Sequence, residues 1–174
     1  TAEVSTAIKE LGSIRLFDLD GDGVREIYID GKDANGQAIT CAAFYSAGEA
    51  QPLHLALFDS QSYAQGSIKE FADSKLILDT EMNILGTYKV KNVYALADKS
   101  FSKASDDIVF DNNTTYVTTS KSITLSNGSL LATGTKLRFT STDGSSVINF
   151  VTDGGFTGSI PIASSGSGWT ISGQ

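Results

Sequence analysis

The stretch "DLDGDGVREIYID", residues 18–30, places five carboxylates within thirteen positions and two glycines among the first six. Like charges at that spacing repel one another, and a bound cation resolves the conflict. Counting Asp18 as loop position 1, Asp20 is position 3, Asp22 position 5 and Gly23 position 6. Asp-x-Asp-x-Asp-Gly opens a calcium loop: the alternation aims three carboxylates at one centre, and the glycine permits the sharp turn. Val24, at position 7, can offer only its backbone carbonyl, which is the group the geometry asks for there.

The later part departs from a helix–loop–helix site. An EF-hand needs a bidentate Glu at position 12, where this chain has Ile29, and it needs flanking helices. Here "IRLF" and "IYI" flank the loop with β-type residues. Glu26, at position 9, is the better closing carboxylate, and strand alternation turns Arg25 the other way. The expectation is a strand–loop–strand calcium clip built from Asp18, Asp20, Asp22 and Glu26 with the Val24 carbonyl. An ion-free acidic turn is the alternative, since Asp and Gly are ordinary turn residues. Magnesium fits less well, because it keeps its waters and takes few protein ligands.

Outward from the loop, "SIRLFDL", "VREIYID", "AITCAAFYS", "PLHLALFD", "KLILD" and "TYKVKNVYALA" are extended segments. Two helices are expected beside them. Val4, Ala7, Ile8 and Leu11 recur on one helical face, with Gly12 at the C-cap position. Ser67 and Glu70 have capping-box spacing at the head of "SIKEFA".

Composition changes near residue 111. Residues 1–111 hold 28 of the 33 charged side chains, while 24 of the 63 residues in 112–174 are Ser or Thr. Two domains are therefore expected, 1–111 and 112–174. The second reads as short strands, separated by turn signals at Asn127-Gly128, Asp143-Gly144 and Asp153-Gly154-Gly155. The fold class expected is mainly β, a β-rich α+β chain. It has an N-terminal twisted antiparallel sheet with one or two short helices, and a small C-terminal β-barrel.

The net charge of -7 argues against nucleic acid, whose phosphates want a basic face. No apolar run is long enough to span a bilayer, so no membrane insertion is expected. With one cysteine, Cys41, no internal disulfide can form, and its apolar strand "AITCAAF" marks it as a buried small hydrophobe. His54 is the only histidine, so a typical zinc centre cannot be assembled and a Ser-His-Asp triad would have to use this one residue. It alternates with leucines in "PLHLALF", which places it on a strand face. No catalytic residues are identified.

"LFDLDGDGVREIYI" resembles the core of the FG-GAP and VCBS-type repeats of integrin-like propellers and bacterial secreted proteins. The resemblance covers about 15 residues and implies a structural calcium on Asp18, Asp20, Asp22, Glu26 and the Val24 carbonyl. It does not imply a propeller, because the chain holds no second copy of the loop. A second resemblance lies in "GSLLATGTKLRFTSTDGSSVINFVTDGGFTGSIPI", residues 128–162. Gly134, Leu137, the Asp153-Gly154 hairpin and "FTGSI" follow the order seen in bacterial Src-homology-3-like barrels, which bind cell-wall peptides or proteins. Phe156 and Trp169 would then line a ligand groove, although Ser159 stands where an aromatic is frequent.

Together these features point to a noncatalytic, extracellular, calcium-binding module of a bacterial cell surface. Its partner would be a protein or a cell-wall glycan. The alternatives are a secreted hydrolase of glycan or peptidoglycan, and a purely structural spacer.

Overall fold

The structure, a computed structural model, describes residues 7–111, 116–166 and 168–172. Every regular element among them is a β-strand, so the mainly β expectation stands. The chain forms two compact units, residues 1–80 with 92–105 and residues 81–91 with 106–174. Composition changes once, near residue 111, whereas the chain passes between the units three times.

In the first unit, β1 (Glu10–Phe17), β2 (Glu26–Lys32), β3 (Ala38–Tyr45) and β4 (Leu53–Leu55) lie side by side in an antiparallel sheet. β5 (Leu57–Phe58) follows, and β6 (Ala64–Gln65) adds to β3. Leu16 pairs with Ile27 and Phe17 with Glu26, so residues 18–25 are the loop of the β1–β2 hairpin. Alternation along β2 sends Glu26, Tyr28 and Asp30 to the buried side. β7 (Ser67–Ala72) pairs with β8 (Lys75–Asn83), β8 with β9 (Thr87–Ala97), and β9 with β10 (Ser100–Lys103). The core of this unit gathers Tyr28, Phe44, Phe58, Leu76, Leu78 and Phe101.

Asp30 shows how the unit is tied together. It is buried, and its Oδ1 accepts hydrogen bonds from the Thr40 hydroxyl at 2.8 Å and the Ile68 N–H at 2.9 Å. Its Oδ2 takes the Ser13 hydroxyl at 3.2 Å. One carboxylate on β2 thus holds β1, β3 and β7, and partners of this kind are what make a buried charge tolerable.

The helix expected from Ser67 is absent, because "SIKEFA" is β7. Ile68 pairs with Leu78 and Phe71 with Leu76, and the hairpin is closed by Asp73 and Ser74 at φ 50° and 57°. Two consecutive left-handed residues form the primed turn that suits strand twist, and this tertiary ladder overrides the local capping box. The N-terminal helix also fails where it can be followed. Val4 lies outside the described residues, but Leu11 pairs with Gly31 within β1, and Gly12 sits in a bulge between Leu11 and Ile14 rather than at a helix cap.

The second unit continues with β11 (Ile108–Phe110), β12 (Val117–Thr118), β13 (Ile123–Thr124), β14 (Leu130–Leu131), β15 (Lys136–Thr142), β16 (Val147–Thr152), β17 (Thr157–Ser165) and β18 (Gly168–Ile171). Residues of β9 pair with β11, and the order then runs β11-β15-β16-β17-β18. Period-two burial in "VINFVT" puts Ile148 and Phe150 into a core with Val90, Leu137 and Ile160. The three turn signals fall between β13 and β14, β15 and β16, and β16 and β17. Among the described residues this sheet ends at β18 and does not close, so the barrel expected of 112–174 is not formed as a closed one.

Candidate metal centre

Register places the ends of β1 and β2 face to face, so residues 18–25 must reverse the chain over a short span. Gly21 and Gly23 do this at φ +77° and +86°. Nothing lies within 4 Å of a Cβ built on either, so the left-handed backbone, not crowding, is what selects glycine.

The reversal brings four carboxylates together. One oxygen from each of Asp18, Asp20, Asp22 and Glu26 lies within 4.8 Å of the others. Among the described residues no other group of three or more His, Cys, Asp or Glu side chains converges in this way. Asp18 is half-buried, Asp20 and Asp22 are exposed, and Glu26 is buried at 3% exposure.

The loop backbone folds around these groups. Asp18 accepts from the N–H of Gly21 at 2.8 Å and of Gly23 at 3.0 Å. Asp20 accepts from Asp22 N–H at 3.1 Å, and Asp22 from Val24 N–H at 2.7 Å. Glu26 Oε2 takes the Leu19 N–H at 2.8 Å and the Tyr28 hydroxyl at 3.2 Å. Val24 and Arg25 are exposed, as the alternation expects for Arg25.

Electrostatics decides what the cluster can do. Two unit charges about 4 Å apart repel by roughly 4 kcal/mol near a protein surface, and four charges make six such pairs. Hydrogen bonds to charged groups return about 1.5–3 kcal/mol each, so the loop's N–H groups offset the repulsion only in part. Burial pushes the Glu26 carboxyl above its ordinary value, against the Leu19 and Tyr28 hydrogen bonds, and the Asp20 and Asp18 charges add to the rise. Burial, with the Glu26 charge beside it, likewise pushes the Tyr28 phenol well up. An acidic cluster of this shape could hold a metal ion through hard oxygen donors.

Beside the loop is an open cleft of about 200 Å³. Phe17, Asp18 and Asp20 form one wall, and Phe71 and Asp73 belong to the other. The Phe17 and Phe71 rings stack at 4.4 Å, 7° from parallel.

The other sequence candidates are not assembled into a site. Phe156 is half exposed and precedes β17, while Trp169 pairs with Ser164 near the far end of β17 and packs on the core of its unit. β17 therefore runs between Phe156 and the pairing partner of Trp169. His54 is a half-buried residue of β4 hydrogen-bonded to Glu49 at 2.6 Å, and Cys41 is fully buried. Sequence reasoning missed Tyr28 and the Leu19 N–H. The available signal was the Glu26-x-Tyr28 spacing, which alternation places on one strand face.

No family model, curated protein or solved structure matches the chain. Among the described residues no helix is long and apolar enough to cross a membrane.

Proposed function

We propose that the loop 18–26 binds one calcium ion and that the protein is a noncatalytic, extracellular binding module braced by it. The convergence of Asp18, Asp20, Asp22 and Glu26 within 4.8 Å is the observation that carries this reading. Four carboxylates and the Val24 carbonyl would supply five oxygens. That is one short of the minimum shell of about six for calcium, and water would complete it. Magnesium favours fewer protein ligands, and an all-oxygen set gives the softer transition metals no preferred donor. Extracellular calcium modules work at about 10⁻⁴–10⁻³ M, an affinity that a largely exposed loop can reach.

The ion would act by preorganisation. It cancels the repulsion within the loop and fixes Asp18 and Asp20, which also wall the cleft beside Phe17 and Phe71. A protein segment or glycan docking there would then lose less loop freedom on binding.

A thermal melt with calcium and with a chelator tests the claim. At one hundred times the dissociation constant, the ion should stabilise the folded state by about 2.7 kcal/mol, seen as a higher Tm. Coincident melting curves would contradict it.

A further inference from the structure

We propose that the outer face of the β1–β4 sheet packs against the same face of a second copy of this chain, about a two-fold axis that sets the facing strands antiparallel. This goes beyond the ion-binding reading and does not depend on it. Glu26, Tyr28 and Asp30 of β2 point to the buried side, so Ile27 and Ile29 point to the other. Residues directly opposite in an antiparallel pair share a face. The register therefore lays down two outward rows: Leu16, Ile27, Ala43 and Leu55 in one, and Ile14, Ile29 and Cys41 in the next. Apart from the Cys41 thiol, both rows are hydrocarbon. Ile14 is 60% exposed, Leu16 57% and Leu55 36%. An antiparallel sheet with one solvated face alternates apolar and polar residues, and a sheet apolar on both faces is the pattern of a layered sandwich.

Charge and size select a second copy as the occupant. Taken at every second position, β2 and its flanks read Arg25, Ile27, Ile29, Gly31, Asp33, with a cation and an anion four residues either side of Ile29. The alternation reaches Asp33 because its N–H bonds the Gln37 carbonyl at 2.9 Å, continuing the ladder past β2. Arg25 is exposed and Asp33 half-buried. With β2 laid antiparallel over its copy, Arg25 of each chain meets Asp33 of the other, and the two-fold axis makes that pair twice. A parallel arrangement would set Arg25 on Arg25. The face is thus complementary to itself in one orientation, as an isologous interface must be. Between these ends it carries no charge, so two copies of a chain at net -7 can meet there without stripping water from an unpaired ion. At about 4.8 Å between strands and 3.3 Å per residue, four strands of up to eight residues present roughly 20 by 25 Å. Two such faces remove on the order of 1,000 Å² from water, which is what a specific interface needs.

The test is sedimentation equilibrium of the full chain in chelator, which keeps the loop's ion out of the result. The wild type should form a dimer. Ile14→Lys with Leu16→Lys, at positions already open to solvent, should weaken it about a hundredfold or more, because association would then bury unpaired charge. Leu130→Lys, at an exposed leucine of β14 in the other unit, should leave it unchanged. Arg25→Asp should weaken it about tenfold, and adding Asp33→Arg should restore it. In the wild-type chain labelled at isoleucine methyls, dilution should shift Ile27 and Ile29 but not Ile148 of the other core, a measurement that needs no variant. A wild type monomeric at every concentration, a dimer indifferent to Ile14→Lys with Leu16→Lys, or dilution shifts that miss Ile27 and Ile29 would each overturn the proposal. Failure of Asp33→Arg to restore association would overturn the antiparallel orientation.

Discussion

Two Asp-Gly turns in this molecule use the same letters for opposite ends. In the β15–β16 turn, Asp143 Oδ1 accepts the N–H of Ser145, Ser146 and Val147 at 2.8–3.0 Å, and Oδ2 takes the Ser146 hydroxyl. One charge there has four donors. In the β1–β2 loop, four charges share the N–H of Leu19, Gly21, Asp22, Gly23 and Val24 and the Tyr28 hydroxyl. The carboxyls of Asp143 and Glu26 shift in opposite directions, and burial is the largest cause of the Glu26 rise. For Asp143 burial opposes ionisation, but the bonds from Ser146, Ser145 and Val147 outweigh it and hold the carboxyl well below its ordinary range. Glu26 moves the other way. Four donors to one charge complete the Asp143 turn, whereas six donors to four charges leave the β1–β2 loop with charge that a cation could answer.

The contrast breaks most visibly at Glu26. In saturating calcium, Glu26→Ala should cost about 2–4 kcal/mol in urea unfolding, through loss of the ion and two stranded donors. A cost no larger than that of an exposed surface substitution would remove the distinction between the turns.

Asp143→Ala should cost less, about 1–2 kcal/mol, since its charge-assisted bonds are partly open to solvent. That cost should be the same with calcium or chelator, followed through Trp169, the single tryptophan, which lies in the same unit. The sign of its pH dependence is fixed. Folding favours the ionised form, so the contribution is fully present above the ordinary carboxyl value of 3.8 and is lost as pH falls below it. The stability gap between wild type and Asp143→Asn, measured in chelator, should hold from pH 7 to about 4 and shrink below that.

The smallest effect sharpens the comparison by its sign. With chelator present, Asp20→Asn should raise stability by about 0.5 kcal/mol, because it removes one exposed like charge. Asp143→Asn should lower it. Denaturant midpoints of the two variants would then move in opposite directions, and a shift in the same direction would mean the loop needs no counter-charge.

Much of this was legible in the sequence because it is local. Asp at alternate positions, Gly23 and Glu26 lie within nine residues, and period-two patterns such as "VINFVT" declare a strand by themselves. What stayed hidden depends on distant partners. Asp30 reads as a fifth carboxylate of the acidic stretch, yet its own partners include Ile68, thirty-eight positions away. Ser67 to Ala72 carries a helix-start signal, but its ladder with Lys75–Asp79 decides for strand. Its turn, Asp73-Ser74, lacks the Gly that marks most primed hairpins. The groove of Phe156 and Trp169 is what the Src-homology-3-like resemblance implies, and β17, which runs between Phe156 and the pairing partner of Trp169, is not legible from that motif.

The most direct measurement is a crystal structure grown in calcium, with anomalous scattering recorded at long wavelength. The account predicts one ion with an oxygen of Asp18, Asp20, Asp22 and Glu26 and the Val24 carbonyl at roughly 2.3–2.6 Å. Carboxylates of a calcium-saturated loop turned outward to solvent, with no anomalous peak among them, would contradict it.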